Sequence, residues 1–264
     1  MATADVHMAI LRHSGNYDDE DMLVVKALYT EFAYPVYEWD GIYFQAYGSL
    51  PSGVFATVMV SNANNSILFR YTYMQEAPVE ELDNYDEYFR ANFMGDDNIG
   101  SVDPRCTWWN MHKHRDHLAK AGITYTSADK HSALTEWVSL EDATFLKRKF
   151  VWSDEVQQVI APLEEASIFK SLHCYMKRKN CDEPIERICG SSVDSALREF
   201  FRHGKEVYET RKAQLERVAQ IHDLLPYIAL ASNDRLPSYE TMLTFYLQGE
   251  PVAEAIVVEC LKFE

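Results

Sequence analysis

The sequence predicts an α+β protein, in which helices interspersed with hairpins give way to a part that is helical almost throughout, joined near residues 150 to 160. Two observations carry this expectation. Turn chemistry places tight hairpins at Asp40-Gly41 and at Gly95-Asp96, each between short apolar runs. Beyond about Pro162 the apolar residues recur at helical spacing, with Pro184 and Pro226 as punctuation.

Taken in order, helical periodicity predicts helices at Val6–Leu11 and Asp21–Phe32, the second following the acidic run Asp18-Asp19-Glu20-Asp21 that suits a helix N-terminus. Pro35 stops it. Val36–Trp39 and Ile42–Tyr47 then flank the first hairpin turn, where Asp-Gly supplies positive φ angles. After the loop Ser49–Gly53, Val54–Tyr73 is long enough for a helix packed on a sheet. The acidic stretch Glu76–Glu87 leads to the second hairpin, whose strands are the runs Tyr88–Met94 and Ile99–Val102. Asp103-Pro104 reads as N-cap and first turn of a helix that runs to Ala121 and closes at Gly122. A strand is expected at Ile123–Thr126 and an extended run at Thr144–Trp152. The helices of the second part are expected at Leu163–Lys179, Ser192–Thr210, Ala213–Leu225 and Tyr239–Leu247.

At 264 residues, with 47% hydrophobic and 13% aromatic side chains, the chain can bury a substantial core and is not disordered as a whole. No apolar run approaches the length of a transmembrane helix, and the first residues lack the basic start of a secretory signal. The five cysteines show no CxxC pair and read as reduced thiols in a cytosolic setting. The net charge of −16 argues against a generic nucleic-acid binder, which is usually basic. That charge is uneven. Residues 1–100 hold 16 acids against 4 bases and the remainder 25 against 21, which leaves either a solvated surface or an acidic metal-binding half.

The chemistry-bearing residues cluster around the second hairpin. Gly95-Asp96-Asp97 presents two carboxylates on a rigid turn, and hard oxygen ligands of this kind suit Mg²⁺ or Mn²⁺. Upstream, Ser52, Gly53 and Thr57 stand at a loop-to-helix junction, with Ser61, Asn62 and Asn65 further along the same helix. Thr57 and Ser61 share a helix face that Asn65 continues, while Asn62 lies about 100° from Ser61. Such a row of small polar groups can read sugar hydroxyls, or it can be an N-cap followed by close packing of small residues. Downstream, Lys130 follows the expected strand in Gly122–Lys130, where an ammonium could donate a proton to a leaving pyrophosphate. In Phe145–Phe150 a strand would place Lys147 and Lys149 on one face and Leu146, Arg148 and Phe150 on the other, a pattern equally suited to a cationic edge strand.

The order Pro51-Ser52-Gly53, Thr57 and Asn62, then Gly95-Asp96-Asp97, then Gly122–Lys130, then Phe145-Leu146-Lys147-Arg148 resembles the palm motifs of RNA-dependent RNA polymerases from picorna-like positive-strand RNA viruses. The likeness continues through Ala161-Pro162-Leu163 and Ser167-Ile168 and covers about residues 5–250. It implies a partial right-hand polymerase, with an antiparallel palm sheet and packed helices over residues 1–152 and a helical thumb over 153–264. It also implies roles. Asp96 and Asp97 would bind metal, Lys130 would protonate pyrophosphate, and Ser52, Gly53, Thr57, Ser61 and Asn62 would surround the incoming nucleotide. Phe145, Leu146, Lys147 and Arg148 would grip the primer strand of the RNA. The implied reaction is two-metal nucleotidyl transfer from nucleoside triphosphates to a primer 3′-hydroxyl on an RNA template, in replication complexes of the host cytoplasm.

Two departures qualify the resemblance. The family commonly has Asn-Ser where this chain has Ser61-Asn62, so the amide stands one position late. The family also places two Asp residues, four residues apart, on a strand upstream of the first palm helix, and nothing in residues 1–50 fits. The expectation is a C-terminal part of a polymerase, with the fingers and the first metal-binding strand supplied by an upstream segment of the same polyprotein. A palm and thumb fragment that binds RNA or protein without catalysis is the alternative. A reverse transcriptase is disfavoured, because that family usually has a hydrophobic residue where Gly95 stands.

Overall fold

The computed structural model describes residues 2–48, 50–53, 56–174 and 183–249. The start of the expected helix Val54–Tyr73, the end of the expected helix Leu163–Lys179, Ser49 of the expected loop, Cys181, Cys260 and the tail beyond Gly249 lie outside them. The chain divides into two compact units, Met1–Val138 and Ser139–Glu264. Both helices and small antiparallel sheets are present, as an α+β chain requires.

The first unit opens with α1 (Ala2–Ser14) and α2 (Asp19–Ala33). The acidic run before α2 acts as a capping box. Asp18 accepts from the backbone N–H of Glu20 at 2.9 Å and of Asp21 at 3.0 Å, and Asp21 accepts from the N–H of Asp18 at 3.0 Å. Strands β1 (Val36–Trp39) and β2 (Ile42–Gln45) form the first hairpin, with Trp39 paired to Ile42 and positive φ at Asp40 and Gly41. Helix α3 (Thr57–Glu76) follows, then a 3₁₀ turn at Val79–Asn84, a single helical turn α4 (Tyr85–Tyr88), and the hairpin of β3 (Phe89–Met94) and β4 (Asp97–Val102). Helix α5 (Met111–Lys120) packs across α3.

An aromatic core joins these elements. Phe69 and Tyr73 of α3, Tyr85, Tyr88, Phe89, Cys106 and Trp109 are buried together. Phe69 stacks on Phe89 with ring centroids 5.4 Å apart, and Trp109 meets Phe89 edge-on at 5.1 Å.

Two local expectations fail in this unit. Asp103-Pro104 does not open the helix; α5 starts at Met111. The intervening chain turns inward to bury Cys106 and Trp109, and Asn110 takes over the cap by accepting from the N–H of Lys113 at 3.0 Å. Residues 123–126 form no strand. The N–H of Ile123 is spent on Leu118 O at 3.0 Å, closing the end of α5, and among the described residues no ladder partner lies alongside.

The second unit contains β5 (Val151–Ser153), β6 (Gln158–Ile160), α6 (Glu165–His173), α7 (Ile185–Phe201), α8 (Lys205–Ile221), a 3₁₀ turn at Leu225–Tyr227 and α9 (Tyr239–Gln248). Its core includes Ile168, Leu197, Phe200, Tyr208 and Tyr239. The expected helices at Ser192–Thr210 and Ala213–Leu225 are displaced. The break falls at Gly204, whose φ of +87 ends one helix and starts the next, so residues 205–221 form one continuous helix. The expected extended run at Thr144–Trp152 is also interrupted. Leu146 and Lys147 both take positive φ while Phe145 and Arg148 exchange backbone hydrogen bonds of 3.0 Å, which makes a tight turn and cancels the strand alternation.

Asp194 of α7 is buried and accepts from the N–H groups of Ala229 and Leu230 at 2.8 and 2.9 Å, pinning the chain after the second 3₁₀ turn. Next to it, a Cβ at Gly190 would lie 2.2 Å from the carbonyl oxygen of Tyr227. Gly190→Ala is therefore expected to destabilise the protein by about 1–3 kcal/mol through overpacking against backbone. Denaturant unfolding checks this, and a loss below about 0.5 kcal/mol would show that the helix and turn separate easily.

Candidate active site

The second hairpin is built to display its turn. Gly95 has a φ of +66 and Asp96 a negative φ, the type II′ pattern that requires Gly first. Met94 pairs with Asp97, so Asp96 occupies the tip and Asp97 begins β4. Phe89 and Phe93 lie on the face of β3 turned to the core, where both contact the ring of Phe69 at 5.4 and 5.3 Å. Gly100, across from Ala91, leaves room for Phe89, since a Cβ there would fall 2.4 Å from its ring.

Helix α3 meets the turn directly. Asn62 Oδ1 accepts from the N–H of Gly95 at 2.8 Å, and Asn65 Nδ2 donates to the carbonyl of Gly95 at 2.7 Å. Thr57, at the start of the helix, donates its hydroxyl to Pro51 O at 2.9 Å and so ties down the loop bearing the exposed Ser52 and Gly53. Ser61 is half-buried, and its hydroxyl has no partner among the described residues.

The Asp96 carboxylate is exposed and meets no cation or donor among the described residues. Asp97 is half-buried; with burial as the main cause, its charge helps raise the Tyr125 phenol above the ordinary value. Tyr125 donates to Asn98 Oδ1 at 3.2 Å, and its ring packs edge-on against His114 at 4.7 Å. The segment leading to Lys130 is thereby docked on the acidic hairpin.

Lys130 sits at the tip of a compact loop with φ of +62, its N–H bonded to Ser127 O at 3.0 Å. The anchor is Asp129. It accepts from the hydroxyls of Ser132 and Ser127 and from the N–H groups of Ser132 and His131, and these bonds, Ser132's first, hold its carboxyl well below the usual carboxylate range. The lysine side chain is exposed. Nothing in the sequence sets Asp129 apart as a site residue, but an Asp that can bond the backbone N–H two residues on, as here with His131, is a turn signal.

Among the described residues no three of His, Cys, Asp and Glu converge into a metal cage. Asp96 and Asp97 nevertheless carry the carboxylate chemistry that suits Mg²⁺, which is commonly bound by one or two carboxylates together with substrate phosphates.

Phe145, Lys147 and Arg148 belong to the second unit. Arg148 is committed there. Its guanidinium donates twice to Glu199 at 2.8 Å and once to Ala161 O at 2.8 Å. Burial would raise Glu199, but the bonds from Arg148 and the charge of Arg202 hold it below its ordinary value. Lys147 is exposed at the turn tip, 3.4 Å from Glu164.

The family model of viral RNA-dependent RNA polymerase matches residues 5–220, and the chain belongs to that family. Among individual proteins it is 28% identical to the replicase polyprotein of Drosophila C virus (strain EB) over 216 residues, 80% of this chain and 11% of that protein. It is 33% identical to the RNA1 polyprotein of Cowpea mosaic virus (strain SB) over 180 residues, 65% of this chain and 9% of the polyprotein. With the RNA1 polyprotein of Andean potato mottle virus the identity is 30% over 224 residues, 81% of this chain and 29% of the other. The chain thus spans about a tenth of the length of the first two. No helix of the described residues is long and apolar enough to cross a membrane.

Proposed function

We propose that this chain is the palm and thumb part of an RNA-directed RNA polymerase, acting in viral RNA replication in the host cytoplasm. The observation that carries the reading is the Asp96 carboxylate, displayed without a partner among the described residues on a turn gripped by α3. Asp96, with Asp97 beside it, would hold Mg²⁺ or Mn²⁺, two ions in the complete enzyme, which supply positive charge to the triphosphate and to the attacking 3′-oxygen. The acidic hairpin fixes those carboxylates in a place set by the core. Ser52, Gly53, Thr57 and Ser61 line the approach on which an incoming nucleoside triphosphate would be oriented. Lys130 Nζ holds the proton that passes to the departing pyrophosphate. Phe145 and Lys147 would hold the primer strand, while Arg148 keeps their turn in place through Glu199. RNA template and primer, and the upstream polyprotein segment with fingers, are the partners this reading requires.

Primer extension with Mn²⁺ on an RNA template tests it. Robust incorporation that depends on Asp96, by this chain or by a longer polyprotein product containing it, supports the polymerase. RNA retention without incorporation in either one favours a binding module. Within an active enzyme, Lys130→Leu should slow the chemical step by about 10²–10⁴-fold, the range of general acid catalysis, with RNA affinity unchanged. A loss confined to RNA affinity would remove Lys130 from the chemistry.

A further inference from the structure

We propose that Asn62 is a positioning residue for the acidic turn and not a reader of the nucleotide sugar. The inference rests on the polymerase reading of Asp96 only for its consequence; the contact itself stands on the structure.

In a two-residue hairpin the first turn residue points its N–H and C=O away from the ladder, so the strands cannot satisfy them. At Gly95 both groups are answered by α3: Asn62 Oδ1 takes the N–H at 2.8 Å and Asn65 Nδ2 reaches the carbonyl at 2.7 Å. The two asparagines are three residues apart, one helical turn, and each amide can satisfy its partner only in one orientation. Both are half-buried. Gly95 precedes Asp96 directly, so this pair of bonds sets where the Asp96 carboxylate stands relative to the helix.

The order Ser61-Asn62 now acquires a physical meaning. An amide at 61 would project from the helix about 100° away from one at 62. Moved to 62, its oxygen is consumed by the turn, and the small Ser61 hydroxyl remains where sugar contact is expected. The chain holds its metal-bearing turn with two side-chain bonds and approaches the nucleotide sugar with a shorter group.

Amide hydrogen exchange in this chain tests the contact without requiring activity. Asn62→Ala should speed exchange at the Gly95 N–H about tenfold, as loss of one good hydrogen bond implies, while Asn62→Asp, which keeps an acceptor oxygen, should retain protection. Unchanged exchange in Asn62→Ala overturns the proposal. Mn²⁺-induced broadening of resonances around Asp96 is the second readout, and Asn62→Ala should need several-fold more Mn²⁺ for equal broadening. If the wild-type chain shows no broadening, the polymerase reading of Asp96 loses its support, yet the exchange result still judges the clamp. In an active polymerase containing this chain, Asn62→Ala should lower kcat for ribo- and deoxyribonucleotides alike. A selective gain for deoxyribonucleotides, with kcat for ribonucleotides intact, would make Asn62 a sugar reader and overturn the proposal.

Discussion

Asp96→Asn is expected to abolish nucleotide incorporation in a polymerase that carries this chain, a loss on the order of a hundredfold to a thousandfold or more, comparable to removing one electrostatic stabiliser from an active site. The fold should not register the change. Asp96 is exposed at the tip of a two-residue turn and its carboxylate meets no cation or donor among the described residues, so the neutral amide leaves no buried group unsatisfied. Surface substitutions of this kind stay within about 0.5 kcal/mol. The hairpin keeps its Gly95 clamps and its Phe89 and Phe93 anchors, none of which involves the carboxylate. Single-nucleotide incorporation and denaturant unfolding, run on the same preparation, separate the two effects. Near-normal incorporation by the variant would remove Asp96 from the metal site. A large stability loss would mean that the carboxylate supports the turn.

What could be read from the sequence was what local chemistry controls. The Asp40-Gly41 and Gly95-Asp96 turns were legible because only certain residues tolerate their φ angles, and the acidic run at Asp18–Asp21 was legible because it caps its own helix. Asn65 could be put on the face of Thr57 and Ser61 by spacing alone. That it holds a carbonyl thirty residues away could not, since nothing local distinguishes a clamp from a sugar contact. The turn at Leu146-Lys147 was invisible for the opposite reason. Its residues are poor turn formers, and the ladder contacts of Lys149 with Pro162 and of Lys147 with Glu164 hold them in positive φ.

The misplaced start of α5 has a similar origin. Asp103 does accept a backbone N–H, from Arg105 at 2.9 Å, so the capping signal was real. Burial of Cys106 and Trp109 then outweighed it and delayed the helix until Asn110 could cap it. Tertiary packing overrides a local cap when a tryptophan and a cysteine can be buried in exchange. Gly204 shows the converse: a glycine read through as part of a helix breaks it, because its backbone adopts a conformation that other residues resist.

The core behind the acidic hairpin should lose stability in mild acid, and His114 is one reason. The residue is 1% exposed, with its ring 3.9 Å from Phe69 between centroids and edge-on to Tyr125 and Trp109. Its Nδ1 shares a 2.7 Å hydrogen bond with the hydroxyl of Thr72, which also accepts from Trp109 Nε1 at 3.3 Å. Burial, with a smaller contribution from His117, lowers its pKa from 6.5 to about 4. Well above pH 6.5 the ring is neutral in both the folded and unfolded chain, and its full contribution to stability is present. Between there and about pH 4 the unfolded chain binds a proton that the folded core refuses, so stability falls with pH by about 3 kcal/mol in total and then levels off. Glu76, held below its ordinary value first by the hydrogen bond from His117, loses stability in acid as well, so the wild type alone cannot isolate the effect. The measurement is therefore a difference: denaturant unfolding of the wild type and of His114→Gln at pH about 7 and about 4. The variant should be weaker at neutral pH and should lose about 3 kcal/mol less on acidification. Equal acid losses in both proteins would mean that His114 is protonated in the folded core, and that Thr72 and Trp109 do not hold it neutral.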